Sequence, residues 1–399
     1  MSNPAAILMV ANFADRVGGG EESLLGLVRS LDRRRLMPHV VVPAEGEMAS
    51  LLRGMDVPVA ILPMPAVRPW TLPAGWRCMT RFQALLASWK IRLVHAHGSR
   101  GALYAALSAK GRGVPVIWHV RIVDRDPWLD GLLLRLSSAV IVNSQATARR
   151  FAGRAGAAQK VHVIYNGVDL RHFSPGPPDP HVRQRLGVPA DHPIVLFAGR
   201  LEQGKGPDLF LEAAAHIQKH LPAAYFVMAG EGPLRSELEA RATEGRLPLR
   251  FVGYQTEVLP LLRLSSAVVV PSRQEAFGRI LIEAMAAQVP VIATRVGGIP
   301  EVCLDRKTGL LVPAEDPGAL AAAVLETLSD RAETRRRVKA AAELVRSVFS
   351  LEEHAARTRK LYGSLLRDGN GERVSGDRAT LDERRSSAAW AGTCRSLDE

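Results

Sequence analysis

The sequence predicts an α/β fold made of two doubly wound, Rossmann-like domains. Its 399 residues are too many for one ordinary core and suit two domains of ~150 to 200 residues. Strand-like and helix-like segments alternate from end to end, which is typical of parallel sheets with crossover helices. A proline-rich break between residues 173 and 192 is followed by a restart of the same alternation.

In the first half, short apolar runs predict strands, and amphipathic stretches between them predict helices. The strands are expected at residues 6–11, 39–42, 57–62, 93–97, 114–119, 140–142 and 161–165. The helices are expected at residues 21–31, 77–88 and 101–110. These elements predict an N-terminal Rossmann-like domain over residues 1–175.

Prolines at 175, 177, 178, 180 and 189 cannot sustain a central strand, so we expect a linker over residues 176–191 with a short helix at 182–186. The second domain, residues 192–349, is predicted from strands at 194–198, 225–229, 251–252, 267–270, 291–293 and 310–312. Its helices are expected at 206–219, 234–242, 258–264, 318–328 and 332–345. A last helix follows over 350–366, and the polar tail 367–399 is expected to be disordered.

The composition, with 47% apolar and 23% charged residues, is that of a globular protein. No apolar run approaches the ~18 to 20 residues of a spanning helix, and the N-terminus lacks a basic segment before an apolar one. We therefore expect a cytoplasmic protein. Its three cysteines, Cys78, Cys303 and Cys394, are far apart, which suits a reducing compartment and predicts no cysteine-based metal site.

The net charge of +12, with a pI near 10.1, is informative about partners. Anionic substrates, an anionic membrane surface and nucleic acid all fit, as does a compositional bias toward arginine. With 5% aromatic residues and no zinc-finger spacing or aromatic RNA-binding motif, nucleic acid is not expected as a partner.

Residues 271–287 contain two acids beside a predicted strand end and helix start. Glu275 lies in the loop after the strand, and Glu283 lies inside the next helix, with Phe277 and Gly278 between them. In open α/β sheets this is where ligands bind, because free backbone N–H groups and the helix dipole converge there. The alternative is a solvated pair of acids near a helix N-terminus.

Glycine-rich loops follow several other strands. Gly199 and Arg200, with Lys205 at the end of the same loop, place two positive charges at a helix N-terminus. This combination suits a diphosphate, although an ordinary strand-to-helix loop explains it equally well. The remaining loops of this kind are Gly18-Gly19-Gly20, Gly230-Glu231-Gly232 and Gly297-Gly298.

The histidines of the first half favour no metal site by spacing. His95 and His97 point to one face of their strand, and no third ligand is evident, so a packed or hydrogen-bonded pair is expected. His119 ends another strand and is better placed to face a ligand. The Asp124-Arg125-Asp126 stretch has a form that binds divalent metal in some nucleotide-sugar enzymes, but a solvated turn is favoured.

Taken together and in order, these motifs resemble the retaining glycosyltransferases of family four, which have the GT-B architecture. The resemblance runs from about residue 5 to 366. It rests on Gly18-Gly19-Gly20, His119, Asn166-Gly167-Val168-Asp169, Gly199-Arg200 with Lys205-Gly206, Gly230-Glu231-Gly232, the Glu-x7-Glu motif from Glu275 to Glu283, and Gly297-Gly298-Ile299-Pro300-Glu301.

The resemblance implies two Rossmann-like domains facing a central cleft, with the last helix crossing back to the acceptor-side first domain. It implies a hexosyltransferase-like enzyme that uses a UDP- or GDP-linked sugar, retains configuration and requires neither cofactor nor metal. The implied catalytic residues are Glu275, His119, Arg200 and Lys205. The implied donor-binding residues are Gly19, Gly20, Gly199, Gly230, Phe277, Gly278 and Glu283.

The expected acceptor is a polysaccharide or a lipid-linked molecule of the cell envelope. The net charge of +12 suggests the related hypothesis that the first domain docks on the anionic inner face of the cell membrane to reach such an acceptor. Two alternatives remain open. Nucleotide-sugar 2-epimerases share the architecture and would need acid/base side chains around the sugar. A noncatalytic basic protein that binds nucleic acid or membrane would also account for the charge.

Overall fold

The computed structural model describes residues 3–16 and 18–366. These residues form two compact units. The first ends at Gly167 and also includes the helix that begins at Leu351, and the second spans Val168–Ser350. The predicted disordered tail, 367–399, lies outside the described residues.

The first unit contains a sheet of seven parallel strands in the order β3-β2-β1-β4-β5-β6-β7. The strands are Ala5–Val10 (β1), Leu36–Val42 (β2), Val59–Ile61 (β3), Leu93–His97 (β4), Val116–Val120 (β5), Ala139–Val142 (β6) and Val161–Val163 (β7). Because β1 pairs with β2 on one side and β4 on the other, the winding direction reverses between β1 and β4. Ligands of open α/β sheets bind at the carboxyl ends of strands at such a reversal.

Helices connect these strands. They are Gly19–Ser30 (α1), Glu47–Arg53 (α2), Leu72–Ser88 (α3), Ser99–Ala109 (α4), Pro127–Leu136 (α5), Gln145–Ala148 (α6) and Ala157–Lys160 (α7). Four of these helices, α2, α5, α6 and α7, were not predicted from the sequence. Helix α5 begins at Pro127 because Asp126 caps it, its carboxylate accepting the Leu129 N–H at 3.0 Å. The Asp124–Asp126 stretch before it is exposed, as predicted, and has no regular secondary structure.

The second unit contains a sheet of six parallel strands in the order β10-β9-β8-β11-β12-β13. The strands are Ile194–Ala198 (β8), Tyr225–Ala229 (β9), Leu249–Gly253 (β10), Ala267–Val270 (β11), Val291–Thr294 (β12) and Leu310–Val312 (β13). The direction reverses between β8 and β11, which are paired neighbours. The doubly wound topology predicted for both halves is therefore confirmed.

The helices of the second unit fall close to their predicted places. They are Pro180–Leu186 (α8), Pro207–His220 (α9), Arg235–Glu244 (α10), Leu259–Leu264 (α11), Arg279–Ala286 (α12), Ile299–Val302 (α13), Pro317–Ser329 (α14) and Arg331–Val348 (α15). Helix α8 lies in the stretch predicted to be a linker. In both units the central strands are buried on both faces. Their sequences are therefore largely apolar and do not alternate between apolar and polar residues.

The last described helix, Leu351–Leu365 (α16), packs in the first unit, as expected. Leu361 and Tyr362 contact a cluster of buried residues from the first sheet, including Ile7, Leu93 and Ile117. Tyr362 is fully buried, and its hydroxyl reaches a histidine of β4. Within the described residues, the helices include none that is both long enough and apolar enough to cross a membrane.

Candidate functional site

In the second unit, the loops after β8 and β11 meet at the reversal of the sheet. The Gly204 carbonyl oxygen in the first loop accepts the Arg273 N–H at 2.9 Å and the Gln274 N–H at 3.1 Å. At Gly206, whose φ is +66°, a Cβ atom would lie 2.1 Å from the Pro271 carbonyl oxygen. Only glycine therefore permits this approach of the two loops.

Lys205 and Glu275 form an ion pair across these loops. The Lys205 Nζ donates to Glu275 Oε2 at 2.7 Å, and the side chains are 30% and 12% exposed. The other carboxylate oxygen lies 3.5 Å from the Phe277 N–H. The sequence predicted both residues as site residues, and the structure places them in direct contact at the carboxyl ends of neighbouring strands.

The loop after β12 holds the backbone of Glu275. The Gly298 N–H donates to the Glu275 carbonyl oxygen at 2.9 Å. Gly297 has φ +52°, and a Cβ atom there would lie 1.9 Å from the same oxygen. No individual role was predicted for this glycine pair from the sequence. In the structure, the pair fixes the position of Glu275.

Glycines also bring the loop after β9 against the loop after β8. At Gly230, with φ +146°, a Cβ atom would lie 1.9 Å from the Gly199 carbonyl oxygen, and at Gly232 it would lie 2.4 Å from that of Leu201. The Leu201 N–H donates to the Glu231 carbonyl oxygen at 2.9 Å. Loops from four adjacent strands thus interlock through backbone contacts, which leaves backbone polar groups close together at one edge of the sheet.

Helix α12 begins directly after Gly278, which has a left-handed backbone with φ +86°. Phe277 is buried and packs edge-on against Phe349, with ring centroids 5.7 Å apart. Glu283 lies one turn into the helix and accepts from the Arg279 Nε at 2.6 Å. Its side chain is 11% exposed, so the two acids of the Glu-x7-Glu motif each have a cationic partner.

Arg200 differs from Lys205 in its surroundings. Its side chain is 61% exposed and pairs with Glu202 at 3.1 Å. An exposed ion pair of this kind contributes little to stability. Arg200 is therefore free to reorient toward an anion at small cost.

Arg273 was missed by the sequence analysis. Its guanidinium donates to both carboxylate oxygens of Asp208 at 2.7 Å, to Glu315 at 2.6 Å and to the Gln203 carbonyl oxygen at 3.1 Å. The hydrogen bond to Asp208 is the largest influence that raises the pKa of Arg273 above its usual range. This residue ties the start of α9 to the loop that carries Glu275.

In the first unit, the Gly18-Gly19-Gly20 turn begins α1. Glu21 in its first turn is buried, and burial raises the pKa of that carboxyl. A Cβ atom at Gly20 would lie 3.9 Å from the Arg121 side chain, which also donates to Ser23 Oγ at 3.2 Å. The glycine turn after β1 is therefore beside the residues that follow β5.

Three buried histidines form a cluster with Arg121. The His95 and His97 rings stack with centroids 4.4 Å apart, and the His95 and His119 rings stack at 5.2 Å. Spacing along the chain pointed to no third histidine, and that interpretation was wrong. Strand pairing sets His97 directly opposite His119, which the spacing within one strand could not reveal.

Hydrogen bonds assign the tautomers of these rings. A guanidinium only donates, so Arg121 requires acceptor Nδ1 atoms on His97, at 2.8 Å, and on His119, at 3.1 Å. His95 Nε2 then donates to His119 Nδ1 at 3.1 Å, and its Nδ1 accepts from the Tyr362 hydroxyl at 2.6 Å. His97 and His119 consequently each carry a hydrogen on Nε2.

The electrostatics keep the cluster neutral. Burial, together with the nearby Arg121 charge, holds the pKa values of His95, His97 and His119 well below the usual 6.5. Three ring nitrogens lie within 4.8 Å of one another, but the guanidinium beside them disfavours a metal cation. Within the described residues, the Nε2 atoms of His97 and His119 are buried without a hydrogen-bond partner. Two such donors favour an oxygen atom of a ligand or a water.

Two protein-family models match the chain. The family described as "Glycosyltransferase Family 4" matches residues 17–172, and the family described as "Glycosyl transferases group 1" matches residues 179–345. The chain is 32% identical over 311 residues to D-inositol 3-phosphate glycosyltransferase 1 of Catenulispora acidiphila, covering 70% of this chain and 73% of that protein. It is 31% identical over 342 residues to glycogen synthase of Mycobacterium tuberculosis, covering 79% of each.

Solved structures share the fold. The Anabaena protein HepE in complex with UDP and glucose has a TM-score of 0.78 at 23% identity, covering 90% of this chain and 99% of that chain. A glycosyltransferase from Rickettsia africae has a TM-score of 0.81 at 21% identity, covering 92% and 100%. The two-domain, Rossmann-like GT-B fold predicted from the sequence is thus confirmed.

Proposed function

This chain belongs to the glycosyltransferases of family 4, and we propose that it transfers a hexose from a UDP- or GDP-linked donor to an acceptor hydroxyl with retention of anomeric configuration. The observation that carries this proposal is the Lys205–Glu275 pair at the sheet reversal of the second unit. A cation for phosphate and an acid for sugar hydroxyls lie side by side there, surrounded by glycine loops.

The donor diphosphate binds Lys205 and Arg200 in this proposal. Lys205 exchanges its contact with Glu275 for phosphate oxygens, and the exposed Arg200 leaves Glu202 to join it. Gly199 leaves room for the diphosphate to approach the backbone, and Gly230 holds the neighbouring loop against that of Gly199. The N-terminus of α9, next to Lys205, adds a favourable dipole for negative charge.

The sugar and the ribose bind the two acids. Glu275 accepts hydroxyl hydrogens of the sugar, while the backbone N–H groups at Phe277 and Gly278 donate to its oxygens. Glu283 accepts from the ribose hydroxyls, and its ion pair with Arg279 orients the carboxylate. The two acids thus have binding roles, and neither is assigned as a general acid or base.

Within the first unit, the residues proposed to contact substrate are Gly19, Gly20 and His119. The glycine turn lets a phosphate or acceptor oxygen approach the N-terminus of α1. His119 donates its Nε2 hydrogen to a substrate oxygen and remains neutral while doing so, because its pKa is well below 6.5. This contact satisfies a buried donor that otherwise lacks a partner.

The chemistry follows from charge development. As the glycosidic bond to phosphate breaks, the sugar acquires oxocarbenium character and negative charge grows on the leaving phosphate. Fixed cations at Arg200 and Lys205 stabilise that charge without reorganisation. The leaving phosphate takes the proton of the attacking hydroxyl on the same face, so retention follows, and the cationic side chains supply the neutralisation that a metal would otherwise provide.

The similar proteins say more about the chemical identity of the donor than about that of the acceptor. The Anabaena neighbour was solved with UDP and glucose, which favours a UDP-sugar. The names of the relatives point to different molecules, D-inositol 3-phosphate in one and glycogen in another. We propose a hydroxyl of a cell-envelope polysaccharide or lipid-linked glycan as the acceptor here.

Nucleotide release tests the proposal. The purified chain is incubated with UDP- and GDP-linked hexoses, alone and with envelope extracts, and free nucleotide and sugar products are measured. We expect nucleotide release that increases with the extract and an α-linked product from an α-linked donor. Conversion of the donor to another nucleotide-sugar without acceptor would instead identify an epimerase, and a folded protein that neither binds nor consumes any donor would refute the proposal.

A further inference from the structure

The start of α3 and the turn before it expose large apolar side chains in the first unit. Trp70 and Trp76 are 73% and 67% exposed, and Val67 and Leu72 are each 62% exposed. We refer to these four residues as the tryptophan face. Four large exposed apolar side chains within ten residues favour an interaction surface, whereas single exposed apolar residues are ordinary.

The tryptophan face is not a misplaced core surface, because the opposite side of α3 is already buried. Cys78, Phe82 and Leu86 recur every four residues and pack into the core of the first unit. The Thr71 Oγ1 accepts the Arg68 N–H at 2.9 Å and so fixes the turn before the helix. The packed side therefore holds the helix in place while its start presents tryptophans to solvent.

The stretch of sequence that contains this face carries charge of one sign. Between Asp56 and Asp124 the sequence contains nine lysines and arginines and no acidic residue, which is three quarters of the net charge of +12. The exposed members are Arg68, Arg77, Arg81, Lys90, Arg100, Lys110 and Arg112. The Arg68 guanidinium lies 5.5 Å from the Trp70 ring centroid, so cation and aromatic ring share one surface.

From these observations we propose that the tryptophan face and its arginines dock the first unit on the interface of an anionic lipid bilayer. Exposed tryptophans place an amphipathic ring at the headgroup level, and arginines are attracted to anionic lipid. A second copy fits less well, because an isologous contact would bring two identical cationic faces together. A neutral glycan would stack on the tryptophan rings, but its binding would not require the absence of acidic residues between Asp56 and Asp124.

This inference deepens the proposed function, on which it rests, because docking would hold the enzyme where lipid-linked acceptors present their hydroxyls. It concerns only surface residues of the first unit and none of the proposed donor-binding groups. The loss of docking and the loss of donor use can therefore be measured separately.

Vesicle flotation tests the docking. Full-length protein is mixed with phosphatidylcholine vesicles with or without phosphatidylglycerol, at low and high sodium chloride. We expect binding to the anionic vesicles that weakens with salt. The double variant Arg68→Gln/Arg77→Gln should lower the partition coefficient roughly twenty-five-fold, at about five-fold for each arginine. Trp70→Ser/Trp76→Ser should lower it roughly ten-fold or more.

A matched control removes an exposed arginine and an exposed aromatic residue from the second unit, as Arg185→Gln/Tyr254→Ser. It should bind anionic vesicles like the unchanged protein. Donor hydrolysis without vesicles should be the same in all variants, and their melting temperatures should agree, since the altered side chains are exposed.

Three results would overturn the inference. Equal binding to neutral and anionic vesicles, or none to either, would remove the charge argument. A change of oligomeric state in the tryptophan variant, with unchanged vesicle binding, would assign the face to a second copy. Capture by a soluble polysaccharide, lost in the tryptophan variant while vesicle binding persists, would assign the face to a glycan.

Discussion

Removal of Lys205 is the sharpest perturbation of the proposed donor site. Its ammonium group lies 2.7 Å from Glu275 Oε2 in a loop that precedes α9. The substitution Lys205→Ala deletes one cation from the carboxyl end of the sheet and leaves the backbone hydrogen bonds between the two loops in place. Activity and stability should therefore respond very differently.

The expected size of each effect follows from the geometry. A hydrogen bond to a charged group contributes ~1.5–3 kcal/mol, so donor affinity should fall about ten- to one-hundred-fold. Loss of a preorganised hydrogen-bond donor that stabilises transition-state charge costs roughly one hundred- to one-thousand-fold in rate. We expect kcat/KM to fall by this factor. The ion pair is partly exposed, so its loss should cost no more than ~1 kcal/mol of stability, or about 2–4 °C in Tm.

Steady-state nucleotide release and thermal unfolding measure these two quantities on the same samples. Lys219→Ala is a matched control, since that lysine is exposed at the far end of α9, in the same unit. It should match the unchanged protein in both assays. If Lys205→Ala and Glu275→Ala each lose activity only in proportion to a large fall in Tm, the pair is structural and the reasoning is refuted.

Three further substitutions or conditions test the fold around the site. Gly297→Ala should lower the free energy of unfolding by ~1–3 kcal/mol and abolish most sugar transfer, because its Cβ would lie 1.9 Å from the Glu275 carbonyl oxygen. Gly204→Ala, which has open space at its Cβ, should change neither quantity. Urea unfolding and activity assays measure the two effects. Asp130→Asn should destabilise the first unit by ~3–5 kcal/mol, because it leaves the buried Arg150 without its carboxylate partner. Asp124→Asn, at an exposed position, is the control. Equal denaturation midpoints for the two variants would contradict this expectation. The three buried histidines have lowered pKa values, so the unfolded chain binds more protons than the native one as pH falls below 6.5. Their contribution to the unfolding free energy should be constant above that pH and should fall by up to ~4 kcal/mol per pH unit below it. Denaturation measured across this range tests the expectation. An unfolding free energy that does not fall below pH 6.5 would show that the histidines are protonated in the native state.

Much of the fold was predictable because parallel strands buried on both faces leave a clear apolar signal. Leu93–His97, Tyr225–Ala229 and Ala267–Val270 have the predicted bounds. The contact between Lys205 and Glu275 could be anticipated, since both follow strands that a doubly wound sheet brings together at its reversal.

The parts that sequence reasoning missed depend on contacts between distant segments. Nothing local to Arg273 shows that it reaches Asp208, and the third histidine of the cluster is set by register between strands. A solvated turn was expected at Asp124–Asp126, but the capping Asp126 also makes Pro127 the first residue of a helix that was not predicted. Arg121 did leave a signal, because its spacing from His119 matches one face of a strand.

The central claim is that the second unit binds a nucleotide-sugar through Lys205. Thermal unfolding with a panel of UDP- and GDP-linked sugars tests it most directly, because a ligand that binds only the native state raises Tm. We expect one class of donor to raise the Tm of the unchanged protein and of Lys219→Ala, with little effect on Lys205→Ala. Equal shifts in all three proteins, or none in the unchanged protein, would contradict it.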